Sequence, residues 1–193
     1  MCGRYFFDGE TAEAVSEELD IDTQSVSMCL GDITPAMSPM VLSAADEESG
    51  ICIRNMFWGI SGKDKKMIIN ARAESVQNKA MFSDAFKARR LIIPAAGFYE
   101  WDNDRSKVTF FRKDKAPLYL AGLYLLSDNR DSFAILTTAA NESMIRVHDR
   151  MPLLIERQYV KDWLHSSSGA EKMLSEKMPL LESRQEYEQL SLF

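Results

Sequence analysis

The chain has 193 residues, of which 46% are hydrophobic and 27% charged, so it is long enough to bury a full core and is neither disordered nor fibrous in composition. No apolar run reaches the length of a membrane span, and the first residues lack the basic-then-apolar pattern of a signal peptide. We therefore expect a cytoplasmic protein, or a nuclear one in a eukaryote. The net charge of −6 argues against indiscriminate polyanion binding but allows a local basic groove.

The hydrophobic pattern predicts many strands with short helices between them. In the first half we predict a strand at 3–7, a helix at 11–19, strands at 41–44, 51–58 and 66–69, and a helix at 74–90. In the second half we predict strands at 91–93, 98–101, 108–112, 118–125 and 133–138, then helices at 141–147, 156–164 and 170–174. A loop is expected at 166–169, and 182–188 is expected to be an acidic, solvated terminus. Without regular βαβ alternation, this order predicts an α+β fold with mostly antiparallel sheets.

The cysteines and histidines do not form a recognisable metal or disulfide pattern. Cys2, Cys29 and Cys52 are odd in number and widely spaced, and His148 and His165 are not at ligand spacing. We therefore expect neither a disulfide framework nor a structural zinc site. Two of the cysteines, at positions 29 and 52, are expected to be small buried hydrophobes.

Cys2 differs from the other cysteines because it directly follows the initiator methionine. If Met1 is removed, Cys2 carries a free α-amine and a thiol on adjacent carbons. The amine can add to an aldehyde to give an imine, and the thiol can then close onto the imine carbon to form a thiazolidine ring. Their unperturbed pKa values are about 7.7–8.0 and about 8.5, so both groups are partly reactive near neutral pH. The alternative is that a cysteine at position two is an accident of the start codon.

Polar residues interrupt four segments where a core strand would be apolar, at 2–5, 69–74, 97–101 and 148–152. Each segment taken alone has an ordinary structural explanation. Glu100 is compatible with an outward-facing strand residue, and His148 with the end of a short helix. Asn70 and Arg72 are compatible with a helix cap and a surface ion pair.

Taken together, these segments resemble the SOS-response-associated peptidase (SRAP) family of abasic-site-processing proteins. The matching stretches are MCGRY, NARAES, RRLIIPAAGFYEW, TTAAN and HDRMP, which occur in the family's order between residue 1 and about residue 154. The resemblance implies a single SRAP-like domain over residues 1–193, with mostly antiparallel sheets in a barrel-like arrangement and flanking short helices.

The resemblance also implies a function. In this family the mature N-terminal cysteine attacks the ring-opened aldehyde of an abasic site in single-stranded DNA and forms a thiazolidine crosslink, which shields the lesion. Carried over by motif, Cys2 is the nucleophile, Glu100 is the general acid and base, His148 assists proton transfer, and Asn70 positions the Cys2 amine or the sugar. Autocatalytic release of Met1 by the same residues would explain the peptidase name, although an ordinary aminopeptidase would also serve.

The implied DNA contacts lie in the same motifs. The expected phosphate clamp and its neighbours are Arg4, Arg72, Arg150 and Thr137. Trp58 is either a stacking platform for a flanking base or a core tryptophan at a strand end. The expected partner is single-stranded DNA containing abasic sites, bound by a monomer without a membrane association. We expect no metal and no organic cofactor.

The chain departs from the family pattern in two places. Asp32 stands where the family usually has asparagine, and a carboxylate there would repel phosphate. The lysine-rich loop at 61–66 is short and lacks the usual proline and tryptophan, so the DNA groove is expected to be less fully walled. Two other functions remain open: an N-terminal-nucleophile peptidase or amidase that acts on a substrate other than DNA, and a module that binds single-stranded DNA without a covalent bond.

Overall fold

Fifteen short strands and four short helices make up the described part of the chain. The computed structural model describes residues 2–45, 50–62, 66–127 and 129–186. The strands up to the middle of the chain are β1 Tyr5–Phe7, β2 Gly31–Ile33, β3 Met40–Ala44, β4 Ile51–Asn55, β5 Phe57–Trp58, β6 Ile60–Ser61, β7 Met67–Ile68 and β8 Asn70–Arg72. The later strands are β9 Arg90–Ala95, β10 Gly97–Trp101, β11 Lys107–Phe111, β12 Leu118–Leu125, β13 Ser132–Ala139, β14 Arg150–Pro152 and β15 Glu182–Glu186. The helices are α1 Gly9–Leu19, α2 Ser83–Ala88, α3 Val160–His165 and α4 Ser167–Met173, with 3-10 turns at Thr23–Ser25, Ala73–Ser75 and Arg157–Tyr159.

The strands form two main sheets and one small hairpin. The first sheet has the order β15-β11-β10-β1-β2, and all its pairs are antiparallel. The second has the order β14-β13-β12-β9-β3-β4, and β5 and β8 also pair with β13 in parallel. The hairpin joins β6 and β7. The α+β prediction is confirmed, and neither strand path closes into a barrel over the described residues. No helix in those residues has the length and apolarity that crossing a membrane requires.

Side chains that point to alternate faces of the strands form one core between the two sheets and a second core beneath the helices. Tyr5 and Phe98 of the first sheet pack with Ile93 and Phe133 of the second in the core between the sheets. Ile92, the neighbour of Ile93, points to the opposite face of β9 and belongs to the second core. Because successive strand residues face opposite sides, β9 contributes to both cores and is buried along its whole length.

Two predicted helices are wrong, and the terminus predicted to be solvated is exposed but forms a strand. Of 74–90, only the segment Ser83–Ala88 is α-helical, because the chain buries both Val76 and Phe82 by turning between them, and tertiary packing overrides helix propensity. The 141–147 segment forms turns, because it has one fully buried side chain, Met144, and no apolar stripe. Glu182–Glu186 pairs with β11 as an edge strand, while residues 187–193 lie outside the described part.

Arg90 joins the ends of two helices inside the second core. It is 3% exposed, and its guanidinium donates to main-chain carbonyls rather than to a carboxylate. Nε and Nη2 reach the carbonyls of Trp163 and Leu164 near the end of α3. Nη1 reaches those of Phe86 and Lys87 near the end of α2. Helix ends leave such carbonyls without partners in the helix, so one side chain satisfies both ends where water is absent.

Replacing this residue is expected to cost stability. Arg90→Met keeps the aliphatic stem but leaves buried carbonyls without donors, so we expect the free energy of unfolding to fall by about 3 kcal/mol. Urea denaturation followed by circular dichroism measures this change. Lys161→Met, at an exposed position of α3, is the control and should stay within about 0.5 kcal/mol of the wild type. Equal losses in both variants would contradict the role assigned to Arg90.

Candidate active site

Cys2 and Asn70 meet although they are 68 residues apart in the sequence. The Asn70 side chain donates from Nδ2 to the main-chain carbonyl of Cys2 at 3.0 Å. Asn70 is the first residue of β8, and it is the partner of Ile135 in the parallel pairing of β8 with β13. This pairing brings Asn70 close to the N-terminal segment. The amide therefore fixes the backbone of the proposed nucleophile and limits the directions in which its amine and thiol can point.

Glu100 lies on the inner face of the first sheet, close to the Cys2 thiol. It is two residues after Phe98 on β10 and, like Phe98, is buried. Cys2 is fully buried, and burial is the main cause that raises the pKa of its thiol; the negative charge of Glu100 raises it further. The thiol is therefore neutral at pH 7, and it lies close enough to a buried carboxyl group for the two charges to interact.

His148 has two competing contacts at one ring nitrogen. Nδ1 accepts a hydrogen bond from the main-chain N–H of Arg150 at 2.9 Å, which assigns the proton of the neutral ring to Nε2. The same Nδ1 lies 2.9 Å from Oδ1 of Asp149. A protonated ring would donate to that carboxylate, while a neutral ring suits the main-chain N–H.

Arg150 is already bound to a carboxylate. Its two terminal nitrogens pair with both oxygens of Glu74, and Nη2 also donates to the carbonyl of Thr137. The hydrogen bonds from Arg150 lower the pKa of the Glu74 carboxyl. A DNA phosphate would therefore have to displace Glu74, or bind to nitrogens that the carboxylate leaves accessible.

Two predicted DNA contacts need correction. Thr137 is fully buried, and its hydroxyl donates to the carbonyl of Ala71 at 3.5 Å, so it connects β13 to β8 and presents no free donor to a phosphate. Trp58 is also fully buried: its ring packs against Tyr5 and stacks on Phe133. Its Nε1 donates to a main-chain carbonyl at 3.0 Å. Trp58 is therefore the core tryptophan of the second alternative, with no face available to a base.

The remaining two arginines differ in their surroundings. Arg72 is exposed on β8, next to the site. Arg4 is partly exposed; its guanidinium lies 5.6 Å from the centre of the Trp101 ring, and its Nη1 is 3.5 Å from Oδ2 of Asp32. The other oxygen of that carboxylate accepts a hydrogen bond from the Tyr99 hydroxyl at 2.9 Å. Asp32 is thus held where it neutralises Arg4.

Asp32→Asn is expected to strengthen binding of undamaged single-stranded DNA. Unit charges about 4 Å apart interact by about 1 kcal/mol in water, so removing this one should raise the affinity about fivefold at low salt. Fluorescence anisotropy with a labelled oligonucleotide measures the effect, which should shrink as the salt concentration rises. Asp20→Asn, at the exposed end of α1, is the matched control. Unchanged or weaker binding by Asp32→Asn would contradict this role.

Glu74 and Tyr99 had no predicted role, although each lies inside a recognised motif. Each positions a charge by bonding across a large sequence separation, which no local pattern reveals. Residues 63–65 of the lysine-rich loop lie outside the described part. Among the described residues, no group of three or more His, Cys, Asp or Glu is placed to hold a metal ion.

Comparison with known proteins gives consistent matches. The family model described as SOS response associated peptidase (SRAP) matches residues 1–191. Abasic site processing protein YedK of Escherichia coli is 28% identical over 185 residues, which cover 89% of this chain and 83% of the relative. Abasic site processing protein YoaM of Bacillus subtilis is 31% identical over 184 residues, covering 86% and 79%. The crystal structure of a phage-related protein of Bordetella bronchiseptica has the same fold, with a TM-score of 0.78, 22% identity, and coverage of 97% of this chain and 95% of that one.

Proposed function

We propose that this chain, which belongs to the SOS response associated peptidase family, processes abasic sites in single-stranded DNA by forming a covalent bond through Cys2. The observation that carries the proposal is the arrangement around Cys2, whose carbonyl is held by Asn70 and whose thiol lies beside the buried carboxylate of Glu100. Its relatives in Escherichia coli and Bacillus subtilis are named abasic site processing proteins, which supports the choice of substrate.

The reaction begins once Met1, which lies outside the described residues, has been removed. The Cys2 amine adds to the aldehyde carbon of the ring-opened sugar, and loss of one water gives an imine. The thiol sulfur then bonds to the imine carbon, its proton leaves, and the imine nitrogen gains a proton, which completes the thiazolidine. During imine formation Glu100 accepts a proton from the adding amine and gives it to the departing hydroxyl. During ring closure it takes the thiol proton and gives it to the ring nitrogen.

The other site residues serve this sequence of steps. Asn70 holds the Cys2 backbone so that the amine and thiol face the same carbon. His148 exchanges a proton with the sugar oxygen during ring opening. Arg72 receives a phosphate directly, while Arg4 and Arg150 exchange carboxylate partners for phosphate oxygens. Glu100 and His148 also assist autocatalytic removal of Met1. The chain acts as a single-domain monomer without a cofactor, in the compartment that contains the DNA.

Intact mass spectrometry tests the proposal. The protein is incubated with a uracil-containing oligonucleotide that a glycosylase has converted to an abasic one. We expect a heat-stable species whose mass equals the Met1-free protein plus the oligonucleotide minus one water, with the modified peptide beginning at Cys2. An oligonucleotide with a tetrahydrofuran spacer, which has no aldehyde, should give no adduct. A missing adduct, or one attached to a lysine, would overturn the proposal.

A further inference from the structure

A cleft of about 450 Å³ opens beside Asn70. Its lining includes Asn70 and Arg72 of β8, together with Lys79 and Met81 from the segment ahead of α2. Asn70 therefore lines the cleft and also binds the Cys2 carbonyl, so a ligand in the cleft lies next to the proposed nucleophile. A cavity of this size is in the range of small-molecule binding sites.

The charges around the cleft favour an anionic ligand. Arg72 and Lys79 are both exposed, and both line the cleft. No acidic side chain is among the described residues that line the cleft, although the chain as a whole has a net charge of −6. Two cations in the lining of one cleft suit a phosphate group, which would compete with Glu74 for Arg72 because those two charges also interact.

The uncharged lining provides a surface for a flat apolar group. Ile68 and Met81 are partly exposed in the cleft, and Phe82 is buried behind them. Methionine is flexible and polarizable, so it packs against ring systems of different shapes. Such a surface would accept any of the four bases, as expected for a protein that must act wherever a base is missing.

The side-chain oxygen of Asn70 is an independent indication of a ligand. Oδ1 is shielded from solvent and accepts no hydrogen bond from any residue in the described part of the chain. A buried acceptor without a donor costs roughly 1–3 kcal/mol, so native structures rarely keep one unless a ligand or water completes it. A ring-opened abasic sugar carries a hydroxyl that could donate to this oxygen.

We infer that this cleft binds the nucleotide next to the abasic site, with its phosphate between Arg72 and Lys79 and its base against Met81. The inference rests on the proposed function and adds to it a subsite with assigned phosphate and base contacts. Binding there would anchor the strand on one side of the lesion and place the abasic sugar between Asn70 and Cys2.

The phosphate contact is tested by the salt dependence of binding. Each phosphate contact to single-stranded DNA contributes about −0.7 to the slope of log affinity against log salt. With a tetrahydrofuran spacer in place of the lesion, which has no aldehyde and so keeps binding noncovalent, Lys79→Gln should make the slope shallower by about 0.7 and weaken all sequences alike. Lys161→Gln, at an exposed position on α3, is the matched control. An unchanged slope in Lys79→Gln would overturn the phosphate assignment.

The base contact is tested with oligonucleotides that lack one flanking base. A tetrahydrofuran spacer beside the lesion keeps the phosphate but removes the base, on the 5′ side in one oligonucleotide and on the 3′ side in another. With the lesion itself also replaced by a spacer, so that binding is noncovalent, one of the two should bind about fivefold more weakly or worse, because stacking of a base contributes that much. Met81→Ala should lose a similar factor and then show no further loss with that spacer.

The outcomes separate this inference from the proposed function. If neither spacer weakens binding, or if Met81→Ala responds to the spacers as the parent protein does, the cleft does not hold the flanking base. Thermal unfolding of Lys79→Gln and Met81→Ala shows whether each remains folded. If the parent protein crosslinks normally and its cleft variants bind DNA as the parent does, the proposed function stands and the subsite is rejected. Absence of any Cys2 adduct would reject the proposed function itself.

Discussion

Cys2→Ser is expected to abolish the heat-stable adduct with abasic DNA. The serine variant keeps the N-terminal amine and still forms an imine, but its hydroxyl gives at most a readily hydrolysed oxygen ring in place of a thiazolidine. Heating before denaturing electrophoresis should therefore release the DNA, whereas borohydride added before heating should reduce the imine and trap it. Cys29→Ser, which leaves the proposed nucleophile in place, should form the normal adduct.

The same variant distinguishes the proposed function from the two alternatives. A peptidase of the N-terminal-nucleophile type would retain hydrolysis with serine and would not require an aldehyde on DNA. A noncovalent DNA-binding module would give no adduct with either residue. A heat-stable adduct at normal yield from Cys2→Ser would show that a different group, such as a lysine, captures the sugar.

The environment of the thiol favours a reaction that begins at the amine. Reactive cysteines that act as resting thiolates have a lowered pKa, which nearby cations or a helix N-terminus provide. Burial and the charge of Glu100 have the opposite effect on the pKa of Cys2. In the proposed reaction, the neutral thiol is therefore suited to the second step, in which it closes the ring and gives up its proton, and unsuited to initial attack as a thiolate.

Strands were predicted well from the sequence where burial of both sheet faces determines the hydrophobic pattern. β12 occupies the predicted residues 118–125, since a continuous apolar run fits a strand buried between two cores. Glu100 remained ambiguous because a lone carboxylate is usually exposed, yet Phe98 two residues earlier is in the core and shares its face. Because side chains two residues apart on a strand share a face, Glu100 is expected to point inward once Phe98 is known to do so.

The contacts within the site could not be predicted in the same way. Asn70 reaches Cys2 because β8 pairs in parallel with β13, and no local signal specifies that pairing. Arg150 and Glu74 are 76 residues apart, so their ion pair depends on the finished fold. Motif resemblance brought most of these residues into one group, but it could not show that carboxylates already occupy two of the three arginines.

Glu100→Gln should slow adduct formation by about 10²–10⁴-fold. The amide has the same shape as the carboxylate but cannot accept the thiol proton or return one to the leaving hydroxyl. Single-turnover mixing with an abasic oligonucleotide measures the rate, and the final yield should approach that of the wild type because the ring itself is unchanged. Glu171→Gln, at an exposed position of α4, is the matched control and should react at the normal rate.

Two further measurements on Glu100→Gln separate proton transfer from a merely structural effect. Intact mass shows whether Met1 is still present; its retention in this variant alone would indicate that its removal is autocatalytic. A version that a site-specific protease releases with Cys2 at its N-terminus then isolates the crosslinking step.

Because the charge of Glu100 raises the pKa of the Cys2 thiol, its loss should lower that pKa and shift alkylation of the thiol to lower pH. Crosslinking should thus become slower while the thiol becomes more acidic, a pair of opposite changes that a loosened structure does not predict. A crosslinking rate within threefold of the wild type would exclude Glu100 as the group that moves the proton.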